Sequence, residues 1–317
     1  MRTTITFLPI WLGVAFHTLD ADPGEYYQLD PSKPLREELH DLIDSHISIP
    51  YSSSSFDSAD AMSIMDADPG NTSNVILVYS RRSEAISNFA GSNGWNREHL
   101  WPNSYGIDRG MPAYSDLHNL QPCDMNVNSR RGNLIYDNSD PQDSSYVSPA
   151  TSEAPLTSKD SDSWEPPDEM KGNVARAAFY MDIRYSGDVS NEPDLILTDD
   201  LSLISSTSYY FGNLATLLQW HAEDPPDDAE KQRNDSVQGY QGNRNPFIDF
   251  PEYAGQIFGS QEPSEPSQPD LTWAWMANYP CIYSGGTWYC MWPVDGKNFL
   301  YNYDTGQWIL MKGQNSG

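Results

Sequence analysis

Between Ser260 and Asp270 the chain reads SQEPSEPSQPD. Prolines and carboxylates interrupt it throughout, and it carries no helical or strand period of apolar residues. It can neither propagate a helix nor join a core, so 260–270 reads as a linker. The 317 residues are therefore expected to form two bodies, one on each side of it. The smaller, 271–317, concentrates aromatic residues: Trp273, Trp275, Trp288, Trp292 and Trp308, with Tyr279, Tyr283, Tyr289, Tyr301 and Tyr303. Turn signals at Gly285-Gly286, Asp295-Gly296 and Asp304-Thr305-Gly306 predict a small antiparallel β module of hairpins.

The chain opens with Arg2, an apolar run from Ile5 to Phe16 broken by Pro9 and Gly13, and Leu19-Asp20-Ala21. Charge, short apolar run and small residue in that order are expected of a secretory signal over 1–21. No stretch reaches the ~20 apolar residues that a spanning helix requires. Three cysteines leave one over if two pair. Cys281 and Cys290 flank the Gly-Gly turn and could bridge in an oxidising compartment, while Cys123 has no thiolate-stabilising neighbours and reads as packing.

Over the main body, 22–259, helices are expected after Pro34 (Leu35, Leu39, Leu42, Ile43 and Ile47 on one face) and at Val174–Tyr185. Further helices are expected at Leu214–His221 and from Pro225-Pro226 through Arg233. Val75–Tyr79 reads as a strand, and the polar stretches 57–74 and 137–168 read as loops.

Three segments between positions 96 and 133 carry the chemistry: Asn96-Arg97-Glu98-His99-Leu100-Trp101-Pro102, Asp116-Leu117-His118-Asn119-Leu120-Gln121-Pro122, and Asn126-Val127-Asn128-Ser129-Arg130-Arg131-Gly132-Asn133. A neutral histidine can take a proton from water near pH 7. A carboxylate and an amide oxygen are hard ligands that suit a hydrated Mg²⁺ better than Zn²⁺. Arginines clamp phosphate. Together these groups describe metal-assisted phosphodiester hydrolysis. A formal charge of −27 argues against a polyanion partner, but only globally: over 91–135 four arginines balance four carboxylates. Repulsion from the acidic remainder is screened beyond about 8 Å at physiological salt, so association is expected to gain from moderate salt.

These segments resemble the endonuclease I family of secreted and periplasmic bacterial nucleases, of the ββα-metal (His-Me finger) group. The likeness extends to Tyr26-Tyr27, Val78-Tyr79-Ser80 and Asn173-Val174-Ala175-Arg176. It continues through Tyr180-Met181, Arg184-Tyr185, Trp220-His221, Asp224-Pro225, Glu230, Arg233-Asn234 and Gln241–Asp249, roughly residues 25–258 in all. It implies an α+β fold with a helical scaffold around the ββα core. It also implies His99 as the general base and Glu98 and Asn128 as ligands of Mg²⁺, with Mn²⁺ or Ca²⁺ as substitutes. Arg109 and Arg131 both qualify as the phosphate-holding arginine; Arg109 is preferred, with Arg131 behind the pocket beside Asp116, His118 and Asn133. The implied function is a secreted or periplasmic, monomeric, largely nonspecific endonuclease acting on DNA, with RNA as a second substrate, and leaving 5′-phosphate and 3′-hydroxyl ends.

Other readings stay open on the residues alone. Asn128 could be a turn residue, and Asp116 and His118 simple hydrogen-bonding braces. Gln241–Asn245 could pin helices or touch nucleic acid. One alternative is a non-catalytic protein that binds nucleic acid or a surface through its aromatic module, and another is a phosphodiesterase for small nucleotides. Loss of plasmid degradation on His99→Ala separates the enzyme from the binder.

Overall fold

The computed structural model describes residues 23–259 and, at the level of backbone, four strands between 281 and 310. The readings at 1–21 and 260–270, and Trp273, Trp275, Tyr279 and Tyr303, lie outside the described residues. The chain divides into two compact units, one ending at Gly259 and the other beginning at Ser260.

In the first unit, α1 (Leu35–Ile43) starts at Pro34 with Glu37 and Glu38 in its first turn, where carboxylates complement the helix dipole. Leu39 and Ile43, one turn apart, are fully buried. Ile47 lies past the helix end and is 65% exposed, so the apolar stripe stops one turn short of the expectation. The polar stretch after it is not one long loop. Helix α2 (Ser58–Met65) begins at a reciprocal capping box between Asp57 and Asp60. Ala59 and Met62 pack with Val75, Leu77, Trp95 and Leu120. Strand β1 (Asn71–Ile76) is shifted towards the N-terminus of the expected one, and Leu77–Tyr79 turn inward instead. Val78 N–H reaches the Pro122 carbonyl, which satisfies a buried donor outside any ladder.

Strands β2 (Trp95–His99) and β3 (Leu120–Asp124) pair antiparallel, with Asn96 opposite Cys123, Glu98 opposite Gln121 and His99 opposite Leu120. Helix α3 (Met125–Arg131) follows at once. Asp124 caps it by accepting from Asn126 N and Val127 N, and Gly132 (φ 61°) ends it. Strand β4 (Ser158–Lys159) lies in the 137–168 excursion, and Lys159 exchanges backbone hydrogen bonds with Val147.

Helix α4 (Asp168–Arg184) is the hub, buried almost throughout from Met170 onward. Against it pack α5 (Leu214–Glu223) and the region of α6 (Asp228–Gln241), which is capped by Asp227 and closed by Gly242 in the left-handed region (φ 86°). Buried Arg176 pairs with Glu230 at 2.6 Å and ties α4 to α6, and Arg244, just past α6, pairs with Asp249 at 2.7 Å. Gln241, Asn243 and Asn245 are buried and bond to the Leu117 N–H, the Ile43 carbonyl and the Arg176 carbonyl. That segment pins helices.

The second unit holds β5 (Cys281–Ser284), β6 (Thr287–Val294), β7 (Lys297–Asn302) and β8 (Trp308–Leu310), antiparallel in sequence order. Register places Cys281 opposite Cys290, Tyr283 opposite Trp288, Trp292 opposite Phe299 and Tyr301 opposite Trp308. With its helices and mostly antiparallel sheets, the described chain is α+β.

Candidate active site

Alternation along β2 puts Asn96 and Glu98 on one face and Arg97 and His99 on the other. Helix α3 lies against the first face. Asn128 Nδ2 donates to Asn96 Oδ1 at 2.9 Å and to the Arg97 carbonyl at 3.1 Å. A carbonyl can only accept, so the amide nitrogen is fixed there and Asn128 Oδ1 is turned away from both partners. From the same helix, buried Arg131 donates to Glu98 Oε1 (3.1 Å), the His99 carbonyl (3.0 Å) and the Leu100 carbonyl (2.8 Å). Its guanidinium also stacks over Tyr136 at 4.7 Å.

Glu98 is held from a second side. Tyr79 Oη donates to Oε1 at 2.8 Å and sits 2.6 Å from Tyr136 Oη. Because the Tyr79 proton goes to the carboxylate, Tyr136 donates to Tyr79, forming a relay. Both hydrogen bonds found on the carboxylate land on Oε1, so Oε2 and Asn128 Oδ1 are the acceptors left on this face. Burial raises the Glu98 carboxyl to about 7, against the opposing pull of Arg131 and the Tyr79 hydroxyl.

On the other face, His99 Nε2 lies 2.8 Å from the Tyr114 carbonyl. That partner accepts only, so Nε2 carries the hydrogen and Nδ1 keeps its lone pair. Burial lowers the imidazole to about 4, and the charges of Arg131 and Arg97 push the same way, so the ring is neutral across the physiological range. Tyr51 stacks on the ring (5.8 Å, 11°) and Tyr114 tilts against it at 4.8 Å. Arg97 lies between Tyr51 and Phe89, at 4.3 and 4.8 Å, and bonds Ser58 Oγ and Asp57. It is a fixed wall of the site.

The residues expected behind the pocket do not all stand there. Asp116 accepts from Tyr180 and Tyr185 hydroxyls, Gln241 and the His118 N–H, which ties the 100–119 connection to α4 and α6. His118 tilts against Tyr180; its Nε2 has no partner, and the ring lines a cavity of about 20 Å³, room for one water. Asn133 is exposed and offers its carbonyl to Tyr105. Among the described residues no hydrogen bond joins these three to Glu98, His99 or Asn128. Their polar groups are needed for scaffold contacts, and Tyr79, Tyr136, Tyr114 and Asn96 brace the site instead. Arg131 is buried with both terminal nitrogens on Glu98 and two carbonyls, whereas Arg109 is exposed and without an ion pair. It lies in the connection that supplies Tyr114.

Residues 32–252 match the family model of Endonuclease I. The chain belongs to the endonuclease I family. Two curated relatives are similar over most of its length. An extracellular ribonuclease of Bacillus amyloliquefaciens is 42% identical over 247 residues, 76% of this chain and 80% of the relative. Another of Bacillus subtilis (strain 168) is 40% identical over 244 residues, 75% and 80% of the two chains. Every polar group placed above on the two faces of β2 lies inside the endonuclease I match. Reading the sequence singled out Glu98, His99, Asn128 and the two arginines, but Tyr79 only as part of a resembling motif, and Tyr136 and Tyr114 not at all. Their distances in sequence from Glu98 and His99 leave no local pattern. Elsewhere, His40, Asp44 and Asp188 bring one donor atom each within 4.8 Å, on α1 and the loop after α4, away from the elements carrying Glu98 and Asn128.

Proposed function

We propose that the protein is a secreted, metal-dependent, largely sequence-nonspecific endonuclease that hydrolyses both RNA and DNA. The observation that carries this reading is the pair of fixed orientations at the end of β2: His99 keeps a neutral Nδ1 free, and Asn128 turns Oδ1 away from its own bracing contacts. Glu98 Oε2 and Asn128 Oδ1 fit a hard divalent cation such as Mg²⁺, with water in the remaining positions. When bound, the ion supplies charge stabilisation at the leaving oxygen.

The base and the ligands sit on opposite faces of one strand. An in-line displacement, with attack and departure on opposite sides of phosphorus, therefore requires the phosphate to lie across the end of that strand, where the backbone leaves the ladder after His99. His99 Nδ1 takes a proton from water, the water oxygen bonds to phosphorus, and the bond to the 3′ oxygen breaks. Products carry 5′-phosphate and 3′-hydroxyl ends. Arg109 holds the non-bridging oxygens bidentately. Arg131 keeps Glu98 and the strand end in place and does not contact the phosphate.

Water as nucleophile makes the sugar hydroxyl dispensable. The relatives' name, extracellular ribonuclease, supports RNA as a substrate and secretion as the route. Among the described residues no helix is long and apolar enough to cross a membrane. Contacts to phosphate alone carry no base information, which supports low sequence specificity. The test compares end-labelled ribo- and deoxyribo-oligonucleotides of one sequence with Mg²⁺, with EDTA, and with Mg²⁺ restored. Cleavage of both, reversibly lost in EDTA, is expected. Cleavage of the ribo strand alone, with 2′,3′-cyclic ends, would mean that the sugar hydroxyl is the nucleophile and would overturn the proposal.

A further inference from the structure

Between Gly24 and Gly259 the chain has fifteen lysines and arginines, and eleven of them pair with a carboxylate. In a chain of net charge −27 such pairing is the default. Among the described residues the four cations without an ion pair are Arg109, Arg130, Lys159 and Lys231. Arg109 is already placed at the scissile phosphate. Lys231 stands apart on α6. Arg130 and Lys159 stand together.

Both are positioned by one short ladder. Lys159 N–H donates to the Val147 carbonyl at 3.1 Å and Val147 N–H donates to the Lys159 carbonyl at 2.8 Å. Three residues after Val147 and two before Lys159, Ala150 N–H reaches the Thr157 carbonyl at 3.0 Å. Arg130 Nε donates to the Ala150 carbonyl at 3.3 Å, so its guanidinium is anchored to the strand pair that carries Lys159. The neighbouring acids form no ion pair with either cation and accept other hydrogen bonds. Asp160 accepts from Asp140 N, Asp162 N, Ser163 N and Ser163 Oγ, and Glu153 accepts from Ser152 Oγ and Asn126 Nδ2. Burial and the Arg130 charge together outweigh the opposing pull of Asp160 and hold the Lys159 ammonium below its usual range.

We propose that Arg130 and Lys159 form a phosphate-binding subsite for the substrate strand. This rests on the nuclease reading and adds to it. Arg130 lies two residues beyond Asn128 on α3, about 200° around the helix at 3.6 residues per turn. It therefore faces away from β2, and the phosphate it meets is not the one being cleaved. A helix is roughly 10 Å across, so the subsite takes a neighbouring phosphate of the same strand. The ligand class is a flexible single-stranded polyphosphate, RNA or DNA, recognised by charge alone.

The experiment measures binding, which separates it from catalysis. The full chain in EDTA is titrated against a fluorescein-labelled 12-nucleotide strand by anisotropy, from 20 to 300 mM NaCl. Arg130→Ala and Lys159→Ala are each expected to weaken Kd about three- to tenfold and to lower the slope of log K against log[salt] by about 0.7 per charge. Arg130→Lys should retain the slope, and Lys231→Ala serves as the control. Thermal melts check that the variants fold, since Arg130 also lies in the last turn of α3, where a cation favours the helix. If Lys231→Ala lowers the slope as much as either substitution, or neither changes it, the subsite is overturned. The nuclease reading stands or falls separately on the wild-type cleavage assay.

Discussion

Tyr79→Phe tests the internal logic of the site, because it deletes one oxygen from the middle of the Tyr136–Tyr79–Glu98 relay. Two losses follow. Glu98 Oε1 gives up a hydrogen bond at a buried charge, worth about 1.5–3 kcal/mol, and the Tyr136 hydroxyl is left without an acceptor, a further ~1–3 kcal/mol. The pair acts as one network, so we expect a total of about 3 kcal/mol, below the simple sum. Tyr136→Phe removes only the outer link and should cost about 1 kcal/mol, leaving the Tyr79–Glu98 bond intact. A second readout separates site from scaffold. A carboxylate held by Arg131 alone can swing, so the Mg²⁺ concentration for half-maximal cleavage should rise about 10- to 100-fold in Tyr79→Phe. It should move much less in Tyr136→Phe. Urea unfolding and a Mg²⁺ titration of oligonucleotide cleavage provide the two numbers. Equal effects of the two variants, or an unchanged Mg²⁺ midpoint in Tyr79→Phe, would refute the idea that this relay aims Glu98 at a cation.

Four further outcomes are expected. His99→Ala should lower cleavage at least ~10²-fold while leaving the melting temperature within a few degrees, and retained cleavage would remove the base from position 99. The pH profile at limiting Mg²⁺ should rise through about pH 7, because Glu98 and not His99 titrates there. Proton and metal compete for that carboxylate, so raising Mg²⁺ should shift the limb to lower pH; a limb that stays put argues against Glu98 as a ligand. The stability sign agrees: a raised carboxyl favours the fold below its unfolded value near 4.5 and loses that contribution as pH climbs through about 7. The metal-free protein should therefore melt lower at pH 8 than at pH 6. Finally, the backbone register sets Cys281 opposite Cys290, so the secreted chain, denatured without reductant, should show a single titratable thiol from Cys123, and three would exclude the bridge.

The helices were largely legible in the sequence. Leu39 and Ile43 in α1, Val174, Ala177, Ala178 and Met181 in α4, and Leu214 and Leu217 in α5 each mark a buried stripe at helical spacing. Failure came where polarity hid structure. Helix α2 is written in Ser, Asp and Ala, and its signal is the Asp57–Asp60 capping box, which reads as turn chemistry until the backbone is seen. The run Val75–Tyr79 misled in the opposite sense. Only Val75 and Ile76 of that run belong to the ladder, which begins in polar Asn71–Asn74, and the apolarity of Leu77, Val78 and Tyr79 reflects burial around the strand pair.

At the site, residue type and order singled out the groups proposed to carry chemistry but not the groups that aim them. Asp116 and Glu98 look alike in sequence, each a carboxylate beside a histidine. What separates them is company from far along the chain. Tyr180, Tyr185 and Gln241 turn Asp116 into the brace of a scaffold. Tyr79 and Arg131 engage one oxygen of Glu98, and the sequence neighbours say nothing of the other. The two arginines divide by the same rule. Arg131 is spent on carbonyls and a carboxylate inside the protein, so of these two it is Arg109, left at the surface, that is proposed for the scissile phosphate. An acidic protein can handle a polyanion on this account because its cations are sorted: most are neutralised within the fold, and those left unpaired include the ones proposed to meet the substrate. Net charge counts both kinds together, which is why −27 says so little about the ligand.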